Sequence, residues 1–295
     1  MEYAIQTENL TKQYRTKLAV DSVSMHVRKG DIYGLIGKNG AGKTTLMKLM
    51  LGLCVPTRGS IRLFGGENLN EARHKIGSLI EAPGLYDDCT AEENMRRFCI
   101  LYGVDKREIV PTLEVVGLAD TGAKKVKQFS LGMRQRLGMA IALLGRPEVL
   151  IMDEPVNGLD PMGIKDFRDI VLRLHGEGVT FVISSHLLDE LAKVVTCYGI
   201  LVDGVLTEEI SMHDLKERCR KFVRIAGPDN EAIFRALRAR DADMDMELCP
   251  DGVHMAAYFD KTAQINRYLT RNGVDVSEIY ISGDGFENYF VERLR

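Results

Sequence analysis

The stretch Gly37-Lys38-Asn39-Gly40-Ala41-Gly42-Lys43-Thr44-Thr45 constrains the fold of this chain more than any other. It fits G-x-x-x-x-G-K-[ST], a pattern that carries meaning only when a strand enters it and a helix leaves it. Both are legible. Ile32-Tyr33-Gly34-Leu35-Ile36 is a short apolar run of buried-strand type, and Leu46, Leu49, Met50 and Leu53 recur at helical spacing. The glycines let the backbone curl so that successive N–H groups point inward, and the next helix opens with its positive dipole end at the same spot. The pattern predicts a nucleotide site in which Lys43 reaches the β- and γ-phosphates and Thr44 ligates Mg²⁺.

A second stretch completes that chemistry. Val149-Leu150-Ile151-Met152-Asp153-Glu154 is a continuous apolar run ending in two carboxylates, the pattern of a parallel strand buried on both faces. Ligands of open α/β sheets lie beyond the carboxyl ends of such strands, so Asp153 and Glu154 should end where the phosphate loop ends. Asp153 then suits Mg²⁺, and Glu154 suits the orientation or deprotonation of an attacking water. Val179-Thr180-Phe181-Val182-Ile183 is a further buried strand, which runs out through Ser184 and Ser185 and brings His186 to the same end of the sheet.

Around these lie more ordinary signals. Residues 3–27 read as short strands of an antiparallel layer, with Tyr14 inside it as half-buried packing. Ser60 to Gly66 and Ile76 to Ile80 read as strands. Thr90 and Glu93 have capping-box spacing before a helix with Met95, Phe98 and Leu101 on its apolar face. Lys106 to Val116 reads as a helix interrupted near Pro111. Arg134 and Arg136 follow Phe129-Ser130-Leu131-Gly132-Met133 near the start of another helix, where they oppose the macrodipole. Either that helix start faces an anion, or the arginines lie on a solvated face. Asn157 to Pro161 turns into a helix reaching His175, and Tyr198 to Ile210 forms a hairpin about Asp203-Gly204.

A boundary falls between Ser211 and Lys221. The segment from Phe222 to Arg295 reads strand, helix, two strands, helix, strand, helix, a small two-layer α+β domain. Asp241, Asp243, Asp245 and Glu247 alternate with Met244 and Met246, which favours a half-exposed strand over a metal cluster. The six cysteines have no C-x-x-C pairing and no zinc spacing, as suits a reduced cytosolic compartment. The net charge of −3 supplies no basic field for nucleic acid. No apolar run reaches the roughly 20 residues of a spanning helix, and no signal peptide opens the chain. Any membrane-spanning part should come from another chain.

The phosphate loop, the Ser130-Leu131-Gly132-Met133-Arg134-Gln135 segment, the strand ending in Asp153-Glu154, Asn157 to Asp160, and Ser184-Ser185-His186 occur in one order. Over residues 3–215 this resembles an ABC-type ATPase domain, most of all the ATP-binding subunits of exporters for bacitracin, lantibiotics and similar antimicrobial peptides. The resemblance implies an α/β P-loop fold with an antiparallel β subdomain and a helical subdomain. A nucleotide-binding domain over 1–214 is expected, with a small accessory α+β domain over 215–295.

It also implies an Mg²⁺-dependent ATPase with ATP as ligand. Tyr14 would stack on adenine. Gly37, Lys38, Asn39, Gly40, Ala41, Gly42, Lys43, Thr44 and Thr45 would hold the phosphates, and Thr44, Asp153 and Glu81 would hold Mg²⁺. Glu154 would be the general base, with His186 on the γ-phosphate. Ser130 and Gly132 would touch the γ-phosphate of another subunit's ATP, with Asp160 at the dimer seam. Leu131 departs from the usual glycine pair of that segment, and Glu81 stands where most such ATPases have glutamine. The expected assembly is a head-to-tail homodimer beneath a separate transmembrane permease, peripheral on the cytoplasmic face of the membrane, with no nucleic acid. The competing class is a soluble ABC ATPase working on ribosomes or DNA, which usually carries two motif sets or a long coiled-coil insertion.

Overall fold

The computed structural model describes residues 2–66, 68–185, 188–256, 258–282 and 286–294. The chain divides into two compact units, one up to Met212 and one over His213–Arg293.

The first unit begins with an antiparallel layer: β1 (Tyr3–Tyr14), β2 (Lys17–Val23) and β3 (His26–Arg28). Then β4 (Ile32–Ile36) enters the main sheet, and α1 (Lys43–Met50) leaves from its carboxyl end. β5 (Arg58–Leu63) returns to pair with β1. There follow α2 (Leu69–Arg73), β6 (Ile76–Leu79), α3 (Ala91–Tyr102), α4 (Ile109–Val115), α5 (Leu131–Leu143) and β7 (Val149–Asp153). The unit closes with α6 (Pro161–Gly176), β8 (Thr180–Ser185), α7 (Leu188–Leu191) and the hairpin of β9 (Cys197–Val202) and β10 (Val205–Ser211).

The main sheet has the order β10-β9-β4-β8-β7-β6, with every neighbour pair from β9 to β6 parallel. β4, β7 and β8 are buried along their whole length, which is why they are continuous apolar runs rather than alternating ones. β4 and β7 are not neighbours. β8 lies between them, placing Asp153 opposite Ser184 and Ile36 opposite Ser185. One core spans both layers: Val20, Met25, Leu46 and Met50 pack with Val149, Ile151 and Val182.

Three expectations need correction. Pro111 does not interrupt its helix: it occupies the third position of α4, where a missing N–H costs no intrahelical bond, and the irregular turn lies before it at Lys106–Glu108. α3 has the expected capping box, but it buries Ala91, Asn94, Met95 and Cys99, while Leu101 is 72% exposed. Leu53 lies beyond the end of α1 and is exposed.

The second unit contains α8 (Met212–Arg218), β11 (Phe222–Ala226), α9 (Asn230–Arg240), β12 (Met246–Cys249), β13 (Gly252–Met255), α10 (Thr262–Arg271), β14 (Glu278–Ser282) and α11 (Phe286–Arg293). Its sheet, ordered β12-β13-β11-β14, is antiparallel throughout, the split βαβ arrangement. Val223, Ile225, Val253 and Met255 form its own core with Ile233, Leu237, Ile265 and Leu269 of the helices. The expected acidic strand begins only at Met246. Before it the chain turns, with Asp241 accepting the Asp243 N–H, Tyr258 on Asp241 and Arg220 on Asp245.

Candidate nucleotide site

After Ile36 the chain leaves the buried edge of β4 and must turn back into a helix. Gly40 and Gly42 make that turn with φ of 84° and 104°, values that favour glycine. Gly42 is also sterically obligatory, because a Cβ there would lie 2.1 Å from the Ala19 carbonyl oxygen. It stands at the start of α1 without a side-chain cap. The helix therefore presents its first-turn N–H groups to the loop's concave side, where an anion would satisfy them.

Lys43 points back into the loop and is almost fully buried. Its Nζ donates to the Gly37 carbonyl at 2.7 Å and the Lys38 carbonyl at 3.3 Å, and lies 3.3 Å from Glu154 Oε1. Thr44 Oγ1 donates to Asp153 Oδ2 at 2.5 Å. Asp153 Oδ1 accepts from Ser184 Oγ, also at 2.5 Å, and Ser184 Oγ in turn accepts the Glu154 N–H at 2.9 Å. Glu154 has left the strand with φ 48°, which swings its carboxylate out of the sheet toward Lys43.

Tyr14, Lys17, Ala19, Lys38, Asn39, Gly40, Gly42, Lys43, Thr44, Thr45, Asp153 and Glu154 thus line one pocket of about 380 Å³. Its lining carries charge of both signs. Lys17 of β2, Lys38 of the loop and Lys43 at the start of α1 supply its positive charge, and Lys43 meets Glu154, one of the two carboxylates at the carboxyl end of β7. Tyr14 is 47% exposed at the rim, more open than half-buried packing, with Lys12 Nζ 5.0 Å from its ring centre.

The remaining expected residues lie elsewhere. Glu81 does not line this pocket; its carboxylate meets Lys48 Nζ at 2.7 Å, one turn along α1 from Thr44. Ser130 caps α5, accepting the Met133 N–H at 3.2 Å, and with Gly132 it is absent from the pocket. Asp160 caps α6 through the Gly163 N–H. Arg134 meets Asp87 at 2.7 Å and Arg136 approaches Asp166 at 3.9 Å, so both have acidic partners within the chain. His186 lies outside the described residues. Sequence reasoning missed two contributors. Lys17 reaches the pocket because the β1–β2 register sets it opposite Tyr14. Ser184 was legible only as a polar residue ending an apolar strand, and its bond to Asp153 depends on β8 being the neighbour of β7.

The ABC transporter family model matches residues 20–157. Bacitracin transport ATP-binding protein BcrA of Enterococcus faecalis is 42% identical over 98% of this chain and 96% of its own length. Lantibiotic transport ATP-binding protein SrtF of Streptococcus pyogenes is 44% identical over 70% of this chain and 90% of its own. Among solved structures, an ATP-binding subunit of an ABC transporter superposes with a TM-score of 0.65 at 28% identity, over 72% of this chain and 92% of that one.

Proposed function

The chain belongs to the family of ATP-binding subunits of ABC transporters, and from that premise we propose that it powers export of an antimicrobial peptide through a separate permease. The observation that carries this reading is the meeting of Lys43, Thr44, Asp153 and Glu154 at one pocket. Lys43 is already desolvated, so exchanging two backbone carbonyls for phosphate oxygens requires little reorganisation. Thr44 and Asp153 are an all-oxygen donor pair, which fits a hard cation, and they would hold Mg²⁺. That ion would supply neutralisation of the charge that develops in phosphoryl transfer. Glu154, held by Ser184 at its backbone, is placed as the general base. Tyr14 would stack on the adenine ring, and His186 would contact the γ-phosphate. Glu81 would reach the ion only by leaving Lys48.

Residues 1–214 would form the nucleotide-binding domain and 215–295 the accessory domain. Ser130, Gly132 and Asp160 sit at helix starts away from their own pocket, so they would serve a partner's. A head-to-tail homodimer supplies both halves of each site and makes two equivalent sites. For the permease, the loop at 82–93 with its exposed Tyr86, and a groove of about 360 Å³ bordered by exposed Leu53, Leu101 and Tyr102, offer apolar surface. No described helix is long and apolar enough to cross a membrane; the likeness to transport ATP-binding subunits is what supports a peripheral site of action on the cytoplasmic face. Relatives matched over nearly the whole chain are transport subunits, which disfavours the ribosome or DNA reading.

Two experiments test this. Glu154→Gln should bind ATP, lose about 10²- to 10⁴-fold in turnover and accumulate as an ATP-bound dimer. Turnover at the wild-type rate would remove Glu154 from the mechanism. Cells expressing the chain with its permease should resist bacitracin-like or lantibiotic peptides, and a cysteine at Leu85 or Tyr86 should crosslink to that permease. Unchanged sensitivity to every such peptide would refute the substrate class.

A further inference from the structure

The second unit brings together a group of side chains that the ATPase reaction does not use. Cys249 at the end of β12, Asp251 in the hairpin turn and His254 on β13 place a sulfur, a carboxylate oxygen and a ring nitrogen within 4.8 Å of one another. We propose that Cys249, Asp251 and His254 bind one divalent transition-metal ion of the zinc type, with a fourth position left to water or an outside ligand.

The hairpin fixes the donors. Cys249 pairs with Gly252 and Glu247 with His254, so the period of two sets Cys249, Glu247 and His254 on one face of the sheet. The turn is pressed against β11: Gly252 has φ 141°, and a Cβ there would lie 2.6 Å from the Ile225 carbonyl oxygen. The Phe222 ring stacks on His254 at 4.0 Å and 20°, which fixes the imidazole plane.

Two contacts hold the donor atoms in a spacing that one shared ion could bridge. His254 Nε2 is buried and lies 3.0 Å from Asp251 Oδ1, an ion-pair contact that sets the two donor atoms side by side. That spacing is close to the separation of neighbouring corners of a coordination tetrahedron, about 3.3 Å for bonds near 2 Å. Arg224 Nε donates to the other oxygen, Oδ2, at 3.0 Å, turning Oδ1 toward His254 and orienting the carboxylate as outer-shell partners do. Binding of such an ion would displace the Cys249 thiol proton, since the thiolate is the ligand. Sulfur and nitrogen donors select zinc, cobalt or nickel over magnesium and calcium. The C-x-D-x-x-H spacing contains no cysteine pair, which is why inspection for zinc motifs passes over it.

The test titrates the metal-free full-length chain with cobalt chloride, then with zinc chloride. One equivalent of Co²⁺ should give a thiolate-to-cobalt charge-transfer band and four-coordinate visible bands, both removed by Zn²⁺. Cys249→Ser should abolish the charge-transfer band, and His254→Gln should weaken binding by about 10-fold or more. Asp153→Asn, in the other unit, should leave the spectrum unchanged. In the wild-type chain, which requires no variant to fold, zinc should slow alkylation of Cys249 selectively among the six cysteines. Absence of a sulfur band, persistence of that band in Cys249→Ser, or unaltered Cys249 alkylation would each overturn the assignment.

Discussion

Glu81 lies just beyond β6 with φ 58° and gives its carboxylate to Lys48 at 2.7 Å. Lys48 sits four residues after Thr44 on α1, so the pair lies beside the phosphate pocket although Glu81 does not line it. The Glu81 hydrogen bond is the main cause holding the Lys48 ammonium above its usual range, and Tyr14 and Asp153 act in the same direction. Because the folded value is raised, the pair's contribution is complete at neutral pH. It is lost only as pH climbs through that raised value, above 10.5. Both side chains are substantially exposed, so solvent screens the pair and its worth is at most about 1 kcal/mol. Lys48→Gln should therefore leave an uncompensated carboxylate near the triphosphate and raise KM for ATP by at most about fivefold, an effect that fades at high salt. Glu81→Gln in the same chain should restore KM. ATPase kinetics of the four variants across salt concentrations measure this coupling, and additive effects would show that the pair does not matter to nucleotide binding. The Glu81 position was legible in the sequence. Its partner was not, because Lys48 and Glu81 are 33 residues apart in the chain and only the fold brings them together.

At the scale of elements, α3 shows both what periodicity finds and what it misses. Thr90 accepts the Glu93 N–H at 3.1 Å and Glu93 accepts the Thr90 N–H at 2.7 Å, the reciprocal box that the spacing predicts. The Thr90 N–H, and after it Lys125, hold the Glu93 carboxyl below its usual range. Its contribution is thus present at neutral pH and disappears as pH falls below the ordinary carboxylate value of about 4. Thr90→Ala should cost about 1 kcal/mol and speed amide exchange over 91–102 at pH 7. An unchanged exchange rate would mean that packing, not the cap, sets the helix start. The buried face was misread because a 3.6-residue period admits adjacent stripes, and the buried one contains Asn94. That amide is fully buried and bonds the Tyr86 backbone at both N–H and carbonyl, pinning the loop at 82–93. Hydropathy scores Asn94 as a surface residue, so the stripe through Leu101 looks better. Strands buried on both faces were easier, since β4, β7 and β8 announce themselves as continuous apolar runs, and their carboxyl ends gave the pocket.

For the whole molecule, the fold keeps apart two groups of residues that the proposed reaction would need together. Lys43, Thr44, Asp153 and Glu154 share a pocket, while Ser130 and Gly132 open α5 without reaching it. Sequence order could not reveal this separation, which depends on where α5 packs against β6. Gly132 has room for a side chain within its own subunit, since a Cβ would meet nothing closer than Leu159 at 3.7 Å. Gly132→Asp should therefore fold, yet present a carboxylate to any phosphate held by a facing subunit. Lys43→Ala damages the other half-site. Each variant alone should be nearly inactive. In a head-to-tail pair of one Lys43→Ala chain with one Gly132→Asp chain, a single site collects both defects and the other is intact. Random mixing yields half heterodimers with one working site of two, so the mixture should recover up to about a quarter of wild-type turnover. Side-by-side ATPase assays of the separate and mixed variants measure it. If mixing restores nothing while both variants remain folded and dimerise, each chain completes its own site, and the composite arrangement is wrong.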